Sequence, residues 1–549
     1  MLENESPARK TSIPETNAKN YSKILPWAFL CLIILFIVLV RVRLLDFPLE
    51  RDEGEYAYMG QLISQGIPPY SIAYNMKFPG TSVMYLILMA LFGQTIQGIH
   101  LGFLVVNCAT ILMVFQFCRK IITDYSAVIA AGVYAVLSLN FTVYGFAAHA
   151  THFVVLAAIA GLLFLRNALE KDNLKSYLSA GVLLGLSVIM KQSGIFFLLF
   201  GGLYILYDNI RSRPITYKKF INLGIFSLGG LIPFFVTFLI LYIAGVFDKF
   251  WFWTVKYAST YGTQVPLSAV YHLFIGNFSF VIDGYFAVWC FSALGLISVF
   301  FNPSLKKDKV FILLFAAFSF LSVCPGFYFR PHYFVTLLPA ASILAGLLFD
   351  FLIVKQPVLL KINSRYIGAG LFIAALSVGV IEQKEYLFLE DNLAKLVRKA
   401  YGPSPFIESI EIAKFIESRS SVNDKIAVFG SEPQIFFYSN RHSATGYIYA
   451  YPLMEPHDYS LTMQKEMIKE VESSPPKLIV MVNIYGSWDA LAESEKYILD
   501  WINNYTSEHY TLVGVADMIS TYETIYKWDA DARNWTVLSP YHLLIFERK

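Results

Sequence analysis

Long apolar runs separated by short polar stretches dominate this chain. Runs near 25–45, 99–118, 123–140, 145–165, 177–190, 193–209, 221–244, 281–301, 309–324, 333–354 and 363–381 approach the ~20 residues that span a bilayer as helix. Basic stretches fall on alternate connections: Arg119-Lys120, Arg166 to Lys175, Arg211 to Lys219, Lys306 to Lys309 and Lys355 to Arg365. The positive-inside rule puts these in the cytoplasm. Arg51 to Tyr74, Gln94 to His100, Asn140 to Tyr144, Lys191-Gln192, Phe247 to Asp283, Pro325 to His332 and everything after residue 382 then lie outside. Phe78 to Phe92 is apolar but short, and a crossing there would turn every later basic loop outward. Pro79 to Phe92 is therefore expected to lie on, or dip into, the outer leaflet. This gives eleven crossings, with the N-terminus inside and the C-terminus outside.

From about Glu382 the pattern turns polar and mixed. Lys425 to Gly430 and Pro476 to Val482 read as strands, and Glu408 to Arg419 and Leu461 to Ser473 have helical spacing. Strands alternating with helices predict a small α/β domain with a mainly parallel sheet. The expected organisation is a cytoplasmic tail over 1–24, a membrane module over 25–381 with a first external loop over 46–98, and an external domain over 382–549. No internal repeat or low-complexity tract is apparent.

Composition agrees with this class. The chain of 549 residues is 56% hydrophobic and only 15% charged, where a soluble domain carries about 25% charged residues. The polar Met1 to Lys23 stretch, with Arg9, Lys10, Lys19 and Lys23, lacks a small-residue cleavage site after the first apolar run. It reads as a retained tail rather than a cleaved signal. Cys31, Cys108, Cys118, Cys290 and Cys324 lie in or beside apolar runs without metal-ligand spacing, as buried small hydrophobes do. The net charge of +3 says little about partners, and no nucleic-acid partner is expected.

The most informative stretch is Arg51-Asp52-Glu53-Gly54-Glu55-Tyr56, just after the first apolar run. Its plainest role is an acidic helix start, with Asp52 as N-cap and Glu55 at N3. Three acids and an arginine at a membrane surface exceed what a cap requires. Other unusual polar residues fall on the same expected face. His149 and His152 stand one turn apart near the start of a span. Lys191 sits at a hairpin, Phe250 to Trp253 form an aromatic run, and Arg330 and His332 flank Pro331. Taken singly, Lys191 and Arg330 read as interfacial anchors and the aromatic run as an interfacial belt. Taken together, a carboxylate for a hydroxyl, cations for a phosphate leaving group and aromatic surfaces for a sugar fit glycosyl transfer from a lipid-phosphate sugar.

The ordered set of motifs resembles the GT-C glycosyltransferases, closest to the protein O-mannosyltransferase-like and lipid A aminoarabinose transferase-like group. It comprises Arg51 to Tyr58, then Gly66, Pro68 and Tyr70, then Lys77-Phe78-Pro79-Gly80 where many members have Lys-Pro-Pro-Leu. Lys191-Gln192-Ser193-Gly194, Phe329 to Phe334 with Leu337-Leu338-Pro339, and Gly430 to Ile435 add to it. The resemblance implies a polyprenyl-phosphate sugar donor, membrane lipids around the site, and inversion at the anomeric carbon. The acceptor would be a glycan, lipid or protein on the external face, and the aromatic, Asn- and Lys-containing makeup with a retained tail fits a bacterial inner (cytoplasmic) membrane. Carried onto this chain, Asp52 becomes the base or acceptor-orienting acid with Glu53 beside it. Arg51, Glu55, Tyr56, Lys77, Lys191, Arg330, His332 and Tyr333 become substrate contacts. Where many members place a further acid, this chain reads Ala148-His149-Ala150-Thr151-His152. A divalent metal is therefore left open: His149 or His152 ligates it, or the chemistry runs without metal. If the acceptor is a phosphate, no base is needed.

Three other readings compete. A lipid-linked sugar flippase would show internal repeats and midplane charges, and neither is apparent. A surface-glycan ligase shares the architecture but needs a wider, more cationic entrance. A non-enzymatic scaffold would account for the α/β domain but not for the acid cluster.

Overall fold

The computed structural model describes residues 15–212, 217–355, 358–359 and 362–549. The start of the expected tail, with Arg9 and Lys10, and parts of the basic stretches Arg211 to Lys219 and Lys355 to Arg365 lie outside the described residues.

The first half is helical. Its helices are α1 (Glu15–Arg43), α2 (Arg51–Ser64), α3 (Gly80–Phe92), α4 (Ile96–Cys118), α5 (Asp124–Leu139), α6 (Ala150–Lys171), α7 (Leu174–Met190), α8 (Ile195–Arg211) and α9 (Tyr217–Ile243). After short helical pieces between Phe247 and Tyr261 come α10 (Leu267–Ile282), α11 (Phe286–Ser298), α12 (Lys309–Leu321), α13 (Leu338–Lys355) and α14 (Ser364–Glu382). Along α9, Leu231, Phe235, Ile240 and Ile243 are exposed. An apolar outer face of this kind suits lipid, and the helix satisfies its own backbone there. Where α7 crosses α9, added Cβ atoms on Gly181 or Gly185 would collide with the α9 backbone at Phe226 and Gly230. The crossing is closed by small residues, as membrane helices pack.

Among the described residues, six helical spans are long and apolar enough to cross a membrane: Ile24–Arg43, Ile96–Cys118, Ala150–Lys171, Gln192–Arg211, Tyr217–Ile243 and Pro331–Ile353. The bent pair α10 and α11 makes a seventh if it counts as one span. Four shorter apolar helices, Asp124–Leu139, Leu174–Met190, Lys309–Leu321 and Tyr366–Glu382, fall on other expected runs. At ~1.5 Å per residue they are shorter than the ~30 Å hydrocarbon core, so length alone does not yield the expected eleven. The 13-residue α3 occupies the segment read as a surface helix.

Two further expectations are corrected. The stretch read as a connection over Phe247 to Asp283 is mostly helical, and α10 meets α11 at 110°. The break lies at Asp283-Gly284, where Gly284 takes a left-handed φ of 77° that a side chain would resist. Nor are all five cysteines buried: Cys118 is, whereas Cys31 is exposed on α1. On an apolar outward face, lipid replaces the core as the solvent for such a side chain.

The C-terminal part forms a six-stranded sheet with helices: β1 (Lys425–Phe429), β2 (His442–Ser443), β3 (Leu478–Asn483), β4 (Tyr510–Asp517), β5 (Ile525–Trp528) and β6 (His542–Arg548). The strand order is β2-β1-β3-β6-β4-β5. The β1/β2 and β1/β3 pairs are parallel, with Val428 opposite Val480. The β3/β6, β6/β4 and β4/β5 pairs are antiparallel. The sheet is therefore mixed, not mainly parallel. Helix Ser460–Ser473 supplies the crossover that parallel β1 and β3 need, whereas β4, β5 and β6 follow one another with only one short helix among them, and short connections favour antiparallel neighbours. Helices Glu408–Arg419 and Ser460–Ser473 form where their spacing predicted.

Candidate active site

The site is built around the start of α2. The N-cap is Glu50, not Asp52. Glu50 Oε1 accepts from the Glu53 N–H at 2.9 Å, and Glu53 Oε2 reaches back to the Glu50 N–H at 3.5 Å. This capping box lies two residues before the one expected and frees Asp52 from capping. Glu53 is then wholly engaged: its Oε1 also accepts from the Ala148 N–H at 2.7 Å and lies 3.2 Å from His100 Nε2 and 3.4 Å from Tyr85 Oη. Burial acts to raise Glu53, but His100 and the Ala148 N–H hold it below its ordinary range. The structure thus sets the two neighbouring acids apart, with Glu53 buried behind α2 and Asp52 on the wall of a cavity.

Asp52 Oδ1 meets Lys77 Nζ at 3.0 Å, and the same Nζ lies 3.0 Å from Glu55 Oε2. Lys77 also stands 4.6 Å over the Tyr56 ring, a cation–π contact from beneath. Glu55 further accepts from Tyr449 Oη at 2.5 Å. Burial works against the charge of both acids, with opposite results. Asp52 is held well below the usual carboxylate range by Lys77, His332 and His149. Glu55 is pushed up to about 7 by burial, with Asp52 adding to it against Lys77.

The cavity encloses about 360 Å³. Of the residues expected at the site, Arg51, Asp52, Lys77, Lys191, Arg330, His332 and Tyr333 line it; Glu53, Glu55, Tyr56, His149 and His152 do not. Arg51 is tied to the C-terminal part, donating from Nε to the Ser431 carbonyl at 2.6 Å and pairing with Glu432 at 3.2 Å. An added Cβ on Gly54 would sit 2.6 Å from Gln434, so glycine lets this part pack directly on α2. Lys191 and Arg330 have no carboxylate partner among the described residues. Lys191 Nζ lies 3.6 Å over the Tyr333 ring. Arg330 donates to Tyr261 Oη at 3.3 Å and stands 5.5 Å over Tyr328. Burial, aided by nearby Lys77, pushes Lys191 down to about 7.

The histidines regroup. His149 stacks on His332 at 4.3 Å and 12°, and His332 Nε2 is 4.0 Å from Asp52 Oδ2. One ligand atom each from Asp52, His149 and His332 lies within 4.8 Å of the others. Both His149 nitrogens and His332 Nδ1 are buried without a hydrogen bond among the described residues, and Glu50 Oε1 lies 3.6 Å from His149 Nδ1. Burial holds His149 down to about 4, so it is a neutral imidazole at neutral pH, the form that binds metal. Two imidazoles and a carboxylate suit a divalent ion such as zinc. His152 does not join them: its ring packs on Phe103 at 4.7 Å. The shared-face expectation fails because His149 is the N-cap of α6, whereas His152 lies inside it and turns into the bundle. The sequence reading missed Tyr261, Tyr451, Glu455 and Asp489, which also line the cavity. No motif marks them, although Tyr261 follows the aromatic run that was noted.

Residues 77–240 match the family model described as dolichyl-phosphate-mannose-protein mannosyltransferase. That match leaves out Asp52, Arg330 and His332. In fold, the chain is similar to ArnT from Cupriavidus metallidurans bound to undecaprenyl phosphate. The TM-score is 0.60 at 15% identity, over 94% of this chain and 98% of that one. The apo state of the same protein gives 0.56 at 15% identity, with the same coverage of both chains. The archaeal oligosaccharyltransferase AglB from Archaeoglobus fulgidus, in complex with an inhibitory peptide and a dolichol-phosphate, gives 0.50 at 13% identity. The alignment covers 93% of this chain and 75% of AglB. No curated protein sequence matches the chain. At these identities the likeness is one of fold, and it fits the GT-C membrane glycosyltransferase group that the motifs resemble.

Proposed function

We propose that this protein is an integral-membrane glycosyltransferase that moves a sugar from a polyprenyl-phosphate donor to an acceptor on the external face of the cytoplasmic membrane. In this reading residues 25–381 form the catalytic module with eleven crossings, and 382–549 form an external domain that closes the site. One observation carries it: a single cavity holds an anionic acid freed from capping, Asp52, together with two cations, Lys191 and Arg330, that have no carboxylate partner among the described residues. Both relatives' structures contain a polyprenyl phosphate or dolichol phosphate, which supports the donor class.

Lys191 and Arg330 hold the donor phosphate, and Tyr333 and Tyr261 fix their head groups. Asp52 accepts a hydrogen bond from the acceptor and aims its oxygen at the anomeric carbon. The new C–O bond forms as the carbon–phosphate oxygen bond breaks. With its pKa depressed, Asp52 is a poor resting place for the acceptor proton; the departing phosphate, with a second pKa of about 6, takes it. Glu53 positions α2 and does not react. Asp52, His149 and His332 would hold a divalent ion, which when bound adds positive charge beside the leaving phosphate.

The test compares envelope glycans and lipid-linked sugars by mass spectrometry in cells lacking the protein, complemented with wild type or Asp52→Asn. One sugar should vanish from a glycan while its lipid-linked form accumulates, and Asp52→Asn should not restore it. Full restoration would remove Asp52 from the chemistry. For the metal, plasma mass spectrometry should find a divalent ion in purified wild type and less in His149→Ala and His332→Ala; equal content in all three would remove the metal from the reading.

A further inference from the structure

The cavity has a second wall to which the transfer reading gives no task. Tyr451, Glu455 and Asp489 reach it from the C-terminal part, opposite in charge to Lys191 and Arg330. Glu455 is fixed in place: its Oε2 accepts from Tyr257 Oη at 2.5 Å and from Gln264 Nε2 at 3.2 Å. Its Oε1 has no hydrogen bond among the described residues. Asp489 ends the short helix Tyr485–Trp488 with a left-handed φ of 49°. Its carboxylate forms no ion pair among the described residues. The same cavity is lined by Ser193 and His332, side chains about nine-tenths buried or more, whose Oγ and Nδ1 have no hydrogen-bond partner among the described residues. Beside Arg330, Tyr261 and Tyr328 stack at 4.8 Å and 17°, and Tyr261 and Tyr451 present aromatic surface to the cavity. A wall of this kind is made for a polar ligand that donates hydrogen bonds.

We infer that Glu455 and Asp489 form the acceptor subsite, and that the acceptor is a carbohydrate offering free hydroxyls rather than a phosphate. The inference rests on the transferase reading above. The unpaired cations suit the donor phosphate, which leaves the acidic wall for the acceptor. Burial raises both acids and nearby Arg330 opposes it; as carboxylates, the anchored Glu455 and Asp489 beside it accept from neighbouring sugar hydroxyls, and charge-assisted hydrogen bonds of this type are the strong ones. Tyrosine faces take the sugar's C–H surface. A phosphate brought against the same two carboxylates meets like charge in a partly dry cavity, where repulsion is poorly screened. Specificity here comes from attraction to hydroxyls and from a built-in penalty against anions.

The experiment follows the transferred sugar in cells complemented with wild type, Glu455→Gln/Asp489→Asn or Asp489→Lys, and determines its linkage. Wild type should attach it through a bond that survives both mild acid, which cleaves glycosyl phosphates, and mild alkali, which releases sugars from Ser or Thr. Glu455→Gln/Asp489→Asn should lower transfer at least tenfold while eluting from size-exclusion in detergent as wild type does. With full-length purified protein and the acceptor glycan so identified, the double variant should raise the acceptor KM much more than the donor KM. Asp489→Lys should strengthen inhibition by added glucose 1-phosphate several-fold. An acid-labile or alkali-labile product overturns the carbohydrate acceptor, and wild-type transfer by a well-folded double variant overturns the subsite. If deletion of the protein changes no glycan, it is the transferase reading that fails.

Discussion

Two parts of one cavity handle charge in opposite ways. On the α2 side, Lys77 is held between Asp52 and Glu55 and Arg51 is held by Glu432 and Ser431. In the same cavity, the described contacts of Lys191 and Arg330 are with tyrosines and with no carboxylate. A cation closed into an ion pair has spent its attraction inside the fold, whereas a cation against an aromatic face keeps N–H groups to offer. The contrast separates residues that the motifs had placed together: Lys77 and Arg51 are held in ion pairs, and in the proposed reading Lys191 and Arg330 receive the donor.

The sharpest way to break this division is Lys77→Met. Its Nζ is shared by two carboxylates, of which Glu55 is fully buried and Asp52 only 27% exposed. Removing one partner from a buried pair costs about 3–5 kcal/mol, so the loss should appear as a lowered unfolding temperature of the detergent-purified protein. Lys77→Met/Glu55→Gln should recover part of that loss, because the second change removes the stranded charge. If Lys77→Met leaves stability alone and impairs only donor use, Lys77 belongs with the receiving cations.

Smaller effects, and of another kind, are expected across the cavity. Lys191→Ala and Arg330→Ala each delete a charge-assisted bond of about 1.5–3 kcal/mol, so the donor KM should rise roughly 10- to 100-fold. Stability should hardly change, since neither has a carboxylate to strand. Lys191 adds a pH signature. Because burial pushes it down to about 7, it is charged below that pH and loses its charge above it. Wild-type kcat/KM for the donor should therefore fall as pH rises from 7 to 8.5. Lys191→Arg keeps its charge throughout and should flatten the profile. An equal fall in that variant would move the titration to another group.

How much of this was legible in the sequence follows from the range of the forces involved. The strands Lys425–Phe429 and Leu478–Asn483 and most apolar runs are local patterns that form where spacing put them, whereas Leu267–Ile282 is a helix in a stretch read as a connection. The cap at Glu50 was missed because Glu50 and Asp52 are both acids three residues ahead of a glutamate, and only the backbone entering α2 chooses between them. His332, not His152, joins Asp52 and His149 in the candidate ligand group, because a ring stacking across 183 residues of chain leaves no trace in sequence spacing. Glu455 and Asp489 were invisible for the same reason. Their wall exists only because the mixed sheet docks on α2 through Gly54 and Arg51. The antiparallel half of that sheet depends on which strand slots between β3 and β4, a long-range pairing.

The finest test of the comparison is Glu55→Gln, which probes the paired side without disrupting it. In the folded protein Glu55 is pushed up to about 7 from an ordinary value of 4.5, chiefly by burial. An acid whose pKa is raised by folding favours the folded state below the unfolded value. It loses that contribution as pH climbs from about 4.5 through 7. His149, held down to about 4 from 6.5, acts in the opposite sense over much of the same range, so the wild-type curve alone is ambiguous. The difference between wild type and Glu55→Gln isolates the acid, because glutamine still accepts from Tyr449 and Lys77 but cannot titrate. The variant should gain stability relative to wild type between pH 5 and pH 7 and level off above that, measured as the gap between their unfolding temperatures. A gap that stays constant would mean that Lys77 already holds Glu55 ionised throughout. The α2 side would then be a fully compensated ion triad, and the contrast with the unpaired cations opposite would become sharper.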